Sequence, residues 1–248
     1  MPPDNNIRTR AWRGWTLHEA DTLGSTNDHA RDLPPWHAIR AKRQTGARGR
    51  HGRKWESGEG GLWISAVLPL EPPDAAWNAF PLAAGLAVVS LLRGLGLPGA
   101  RLRWPNDVLI GSKKICGILM EKFASDRVVV GIGLNVSNNP AADDASLAAV
   151  ATWLGSELPL APPVEELYED LLIALRILHA RIAEEGLAPL AEEINAHWGG
   201  TREVELTTAA GPLRGHFLGI NGRGDLLVRS PEGIGTHTAA HVQLMREI

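Results

Sequence analysis

Seven lysines and arginines and no acidic residue lie between Asp32 and Glu56, and the densest part reads QTGARGRHGRKW, from Gln44 to Trp55. Arg48, Arg50 and Arg53 alternate with Gly49 and Gly52, and Trp55 closes the run. Guanidinium forks match the oxygens of phosphates and carboxylates. Glycine lets a backbone turn tightly and approach a ligand closely. The pattern suits a loop that wraps an anion. By itself it also fits a solvated surface loop or a patch for nucleic acid. It lacks the GxxxxGK-Ser/Thr form, which disfavours a P-loop nucleotide hydrolase.

A second cationic motif, RWPNDVLIGSKKICGILME, runs from Arg103 to Glu121. Pro105 holds the preceding residue extended, and Asn106-Asp107 favour a turn. Lys113-Lys114 fall at the tip of a hairpin whose returning strand carries Gly117. In isolation, a turn and a solvated tip account for these residues too. Gly117 says more, because glycine inside an apolar strand marks close approach of a ligand or another backbone. The run from Gly131 through Gly133 to Asn135 repeats that signal at a strand end, where a β-bulge is the other reading. HExxH, CxxC and GxSxG patterns are missing, so a zinc site or a serine hydrolase has little support. His237 and His241 fall in strand and turn rather than on one helix face, and Cys116 reads as a small core residue.

The elements that must hold these residues follow from periodicity and breakers. Strands are expected at Trp15–Thr22, His37–Gln44, Leu62–Leu68, Arg101–Trp104, Lys114–Phe123 and Val128–Val136, the last two joined by a turn at 124–127. Ser25 to Asp28 offers N-cap chemistry for a short helix through Leu33. Ala76–Leu97 reads as a core helix, Val164–Glu185 as an amphipathic helix stopped by Gly186, and Leu187–Trp198 as another. After Gly199-Gly200 the pattern changes to short strands at 202–208, 212–218, 225–229 and 234–238, which suggests a small barrel.

Bulk properties bound the function class. The 248 residues are 44% hydrophobic and 21% charged, near globular averages. A formal net charge of −3 argues against general nucleic-acid coating. The longest apolar run, Ala79–Leu92, falls short of the roughly 20 residues that span a bilayer. The start, MPPDNNIRTR, has no apolar signal core, and a lone cysteine fits a reducing cytosol. A cytoplasmic protein is expected.

Taken together, Ser25-Thr26-Asn27, QTGARGRHGRKW, RWPND with KKICGILME, and GIGLNV resemble biotin–protein ligases in order, spacing and wording. The resemblance runs from about residue 15 to the C-terminus and is strongest over 15–136. It implies an α+β fold, with a mixed sheet and helices like class II aminoacyl-tRNA synthetase catalytic domains over 1–199 and a small SH3-like barrel over 200–248. It also implies the ligase-only class, without an N-terminal DNA-binding domain. The implied reaction joins biotin to MgATP as biotinyl-5′-AMP, then passes biotin to a lysine of a biotin carboxyl carrier protein. Lys114 would bridge the biotin carboxylate and the α-phosphate, with Arg48 and Arg50 closing over both. Ser25, Thr26, Asn27 and Gln44 would serve the ureido ring, and Gly49, Gly117 and Gly131 would line the pocket. Trp55 would pack on adenine, Arg53 would face the nucleotide, and Asn106 and Asn135 are further nucleotide or magnesium candidates. Loop 45–54 is expected to order over ligand, and a homodimer is compatible.

Two rivals remain at this point. A lipoate–protein ligase shares the adenylation logic, but its RRxSGGGxVxHD loop is missing. A non-catalytic anion- or nucleic-acid-binding module is the rival of another class. The chain also departs from the family pattern. Gly46-Ala47 reverses the usual Ala-Gly order, so the loop's turn is expected to shift to Gly46. Ala240-His241 and Asn221 replace residues common in the C-terminal module.

Overall fold

A computed structural model describes residues 7–70, 74–198 and 202–248. Strands β1 (Arg8–Trp12), β2 (Trp15–Leu23), β3 (His37–Gln44), β4 (Leu62–Pro69), β5 (Ala100–Arg103), β6 (Asp107–Ile110), β7 (Lys113–Glu121) and β8 (Arg127–Leu134) form one sheet. Their order is β1-β2-β3-β4-β8-β7-β6-β5. The β2–β3 pair is parallel and its neighbours are antiparallel, so the sheet is mixed as expected.

The side-chain alternation of β8 assigns the two faces. Val128, Val130, Ile132 and Leu134 enter the main core, which α2 (Phe80–Gly94) covers. Two single turns, α3 (Pro140–Asp143) and α4 (Leu154–Glu157), precede the long helix α5 (Val164–Glu185) and then α6 (Ala188–Trp198), which complete that layer. On α5, Leu167, Leu171, Leu175, Leu178 and Ile182 recur at three- and four-residue spacing and are buried. Each such burial contributes about 1.5–3 kcal/mol. Gly186 stops the helix at φ +73, as expected. The opposite face carries α1 (Thr26–Ala30) over a small cluster that includes Leu23, Ala30, Ile39 and Val129.

The helix expected over 76–97 is shorter. A 3-10 segment occupies Asp74–Ala79, and α2 starts with Pro81 in its first turn, where a missing N–H costs nothing. The expected break at Gly199-Gly200 lies outside the described residues. Beyond it, β9 (Arg202–Thr208), β10 (Gly211–Ile220), β11 (Leu226–Ser230), β12 (Gly233–His237) and β13 (Val242–Glu247) form a second antiparallel sheet in the order β12-β11-β10-β9-β13. Four of these strands match expectation, and β13 is an addition. This module packs on the first: Trp198 meets Phe217 edge-on at 4.9 Å, and Trp104 Nε1 donates to Gly224 O at 3.1 Å.

Candidate active site

The register of β7 against its neighbours builds a floor without side chains. Gly117 stands opposite Gly133, and Gly131 stands opposite both Leu119 and Ser65. All lie on the face away from the long helices. The Trp55 indole covers the bare strip: a Cβ on Gly133 would come within 2.7 Å of its Nε1, and one on Gly117 within 3.2 Å of its ring. Lys114 reaches the same face through a β-bulge. Val108 pairs with Cys116, but Leu109 pairs with Lys114, so one residue is skipped and the side-chain parity flips. Lys114 Nζ then sits 4.7 Å from the Trp55 ring centroid, in cation–π range.

At one end of this floor lies a buried network of uncharged polar side chains, bordered by Glu121. Ser25 N-caps α1, presenting Thr26 and Asn27 to the sheet. Gln44 Oε1 accepts from Thr26 N at 2.7 Å and Thr26 Oγ1 at 3.0 Å, while Gln44 Nε2 donates to Ser57 Oγ at 3.2 Å. Ser65, fully buried on β4, lies 2.7 Å from Thr26 Oγ1 and 2.6 Å from Asn27 Oδ1. Asn27 Nδ2 donates to Glu121 Oε2 at 2.7 Å. Such a set offers both donors and acceptors, as a neutral ring with N–H and C=O groups requires.

Cations occupy the rest, and their partners differ. Arg48 grips Asp28 with two bonds of 2.7 and 2.8 Å and reaches Glu121 Oε1 at 3.0 Å. Hydrogen bonding to Asp28 first, and to Glu121, outweighs burial and holds this guanidinium above its ordinary range. Asp107 carries two cations, Lys114 Nζ at 2.5 Å and Arg103 at 2.6 Å. Burial pushes the Asp107 carboxyl upward, but these two cations together prevail and keep it below the usual carboxylate range. Arg50 donates to the main-chain oxygens of Ala239 and Val242, and Arg53 to Gln243 O at 3.1 Å. Half-buried against neutral carbonyls, Arg50 has its pKa lowered by desolvation. Positive charge therefore accumulates on the side of Lys114, Arg103, Arg50 and Arg53. The Arg48 side is balanced by acids.

Every residue proposed from sequence lines one cleft of about 270 Å³: Ser25, Thr26, Asn27, Gln44, Arg48, Gly49, Arg50, Arg53, Trp55, Asn106, Lys114, Gly117, Gly131 and Asn135. Two of them are tied into the scaffold. Asn106 Nδ2 donates to Ile118 O at 2.6 Å, and Asn135 Nδ2 donates to Thr152 O at 2.9 Å while its Oδ1 accepts from Asn138. The chain bends at Thr45–Gly46 with positive φ at neither Gly46 nor Ala47. Positive φ falls on His51 (58°) and Gly52 (70°), within the tight turn Arg50–Gly52 that Arg53 N→Arg50 O closes at 3.4 Å and Gly49 N→Arg53 O flanks at 2.7 Å. Reversing Gly46 and Ala47 thus moves no strain onto Ala47.

Sequence reasoning missed Asp28, Ser65, Asp107 and Glu121, which partner the proposed residues, and Val242–Met245 of β13, which wall the cleft. Asp107 sits inside the motif already singled out. Glu121 closes that same motif and Asp28 closes the capping segment at Ser25, while Ser65 and β13 had no local signal. Cys116 is buried on the helix-covered face, and burial raises its thiol pKa, in keeping with a core role. Among the described residues no cluster of three or more His, Cys, Asp or Glu is arranged to hold a metal, and no helix is long and apolar enough to cross a membrane.

The geometry has counterparts among known proteins. Residues 22–136 match the model of the Biotin/lipoate A/B protein ligase family. A biotin–[acetyl-CoA-carboxylase] ligase of Paracoccus denitrificans is 33% identical over 235 residues, covering 88% of this chain and 96% of that protein. The bifunctional ligase/repressor BirA of Bacillus subtilis is 31% identical, covering 90% of this chain and 72% of that protein. Among solved structures, a biotin protein ligase from Aquifex aeolicus in complex with biotin and ATP superposes with a TM-score of 0.82 at 28% identity, over 94% of this chain and 99% of that one. Sequence, fold and a glycine-floored cationic cleft agree: the chain belongs to the biotin/lipoate protein ligase family, as one of its biotin–protein ligases.

Proposed function

We propose that this cleft activates biotin with MgATP and transfers it to one lysine of a biotin carboxyl carrier protein, the acceptor subunit of an acetyl-CoA or related carboxylase. The observation that carries the reading is the split of the cleft into a neutral hydrogen-bonding end and a cation-rich end on one bare floor. The ureido ring meets Ser25, Thr26, Asn27 and Gln44. The carboxylate points along Gly131 and Gly117 to Lys114.

In the first step a biotin carboxylate oxygen bonds to the α-phosphorus, and the bond from that phosphorus to the bridging oxygen breaks. Pyrophosphate leaves with the electron pair. Two like charges 4 Å apart repel by roughly 4 kcal/mol at an effective dielectric of about 20. Fixed cations must offset this. Lys114 and Arg103 share the single charge of Asp107, and Arg50 and Arg53 face carbonyls, so this end keeps a positive surplus. In the second step the lysine nitrogen bonds to the anhydride carbonyl carbon, AMP departs with the electron pair, and the amine proton passes to solvent. Loop 45–54 orders over the adenylate and shields it from water. Trp55 supports the adenine side. Magnesium arrives with the nucleotide, held by phosphates and water, which fits a cleft whose acidic groups already carry cations. Residues 1–199 serve as the catalytic domain and 200–248 as an SH3-like module, with a cytoplasmic setting and homodimerisation both compatible.

Biotin-dependent ATP–pyrophosphate exchange tests the reading. The wild type should exchange only with biotin present, and Lys114→Ala should lose on the order of a hundredfold or more. A wild type without exchange, or Lys114→Ala at full rate, would overturn it.

A further inference from the structure

We propose that Glu121 is a positioning residue: its two carboxylate oxygens orient the Asn27 amide, set the direction of hydrogen bonds at the ring end, and tie Arg48 to it. The inference rests on the ligase reading above. Glu121 ends β7, and two donors face it, Asn27 Nδ2 at 2.7 Å and Arg48 at 3.0 Å. A carboxylate accepts at both oxygens, whereas an amide has one acceptor and one donor end. Asn27 is 4% exposed, so a donor there without a partner is costly.

The consequence travels along the network. With its NH2 on Glu121 and, at 3.3 Å, on Leu119 O, Asn27 must turn Oδ1 to Ser65. Ser65 has one hydroxyl proton, and Asn27 Oδ1 can only accept, so that proton lies along the 2.6 Å contact. Ser65 then faces Thr26 Oγ1, 2.7 Å away, with a lone pair. Thr26 has one hydroxyl proton, and two acceptors face it: this Ser65 lone pair, and Gln44 Oε1 at 3.0 Å, which also accepts from Thr26 N. One buried-end charge thereby selects which donors and acceptors the ring meets. It also links the loop arginine to that choice, since Arg48 shares the same carboxylate.

Calorimetric titration of biotin into the full chain tests this with the variants Glu121→Gln, Asn27→Asp and the exchange of both. Glu121→Gln sets an amide N–H against one of the two donors, and biotin should bind roughly tenfold to a hundredfold more weakly. Asn27→Asp places two carboxylates together and should lose at least as much. In the double variant the new amide at position 121 donates to the new carboxylate at position 27 and accepts from Arg48. The carboxylate still accepts from Ser65, and the long contact to Leu119 O becomes a weak repulsion between two acceptors, which is why recovery stays short of complete. Binding should return to within about tenfold of wild type, a non-additive rescue that a general packing role would not produce. In exchange assays the loss should appear in KM for biotin and leave KM for ATP unmoved. Wild-type affinity in Glu121→Gln, or no recovery in the double variant, overturns the inference. If Glu121→Gln fails to fold, recovery of folding and binding in the double variant supports the inference, and its absence overturns it. A wild type that neither binds biotin nor exchanges pyrophosphate rejects the ligase reading itself.

Discussion

Gly131→Ala measures how rigid the ring end of the cleft is. A Cβ at this position would overlap Asn27 Oδ1, with Asn27 Cγ only 3.0 Å away. The amide would have to retreat by roughly 1 Å to reach ordinary contact, taking its bonds to Ser65 (2.6 Å) and Glu121 (2.7 Å) out of range. A neutral bond is worth about 1 kcal/mol and one to a charged group about 1.5–3 kcal/mol. The folded state should therefore lose roughly 2.5–4 kcal/mol, and for a chain of this length the melting midpoint should fall by roughly 5–15 °C. Gly133→Ala is the control. There the new methyl meets the Trp55 indole, a loop side chain whose Nε1 has no hydrogen bond to lose, so the ring can slide aside. Its cost should stay below about 1 kcal/mol, while tryptophan fluorescence and KM for ATP change. Scanning calorimetry and biotin titration on both variants decide the matter. A Gly131→Ala protein that melts and binds biotin like wild type would refute the reasoning.

Other consequences are open to direct measurement. Arg50→Gly removes a half-buried cation and the link to Ala239 and Val242; the adenylate should escape and biotinylate unrelated protein amines, and undiminished retention would contradict this. His18 and His37 stack at 5.2 Å with ring nitrogens 3.0 Å apart. Burial lowers both pKa values, and mutual repulsion adds to it for His18. The unfolded chain therefore binds more protons below the ordinary histidine value of about 6.5, so stability is full above it and declines as pH falls towards the folded values. The melting midpoint should drop between about pH 7 and 5, with a shallower slope in His37→Gln; equal slopes would exclude the pair as the cause. Buried Cys116, with its thiol pKa raised, should ignore a thiol reagent until the protein unfolds; rapid labelling of native protein would show otherwise.

Much of the site is legible because its chemistry is local in sequence. Arginines and glycines share one loop, and Gly117 and Gly131 stand out against apolar strands because a missing side chain is visible without a structure. Most strand positions are legible too, since half-buried strands alternate. Apolar density overextends helix α2 because it does not mark where Pro81 sets the first turn. The strand β13 escapes notice because VQLMRE lacks a clean alternation, yet it walls the cleft.

Residue types and their order were enough to expect a loop that wraps an anion, and to name side chains that the fold brings to one cleft. Folding alone could decide which of those cations stay unbalanced, because charge balance depends on partners far apart in the chain. Asp28 and Glu121 meet Arg48 across distant elements, and a bulge brings Lys114 to Asp107. Carbonyls of a separate module hold Arg50. Such pairings arise from register and packing, which no single stretch of sequence records.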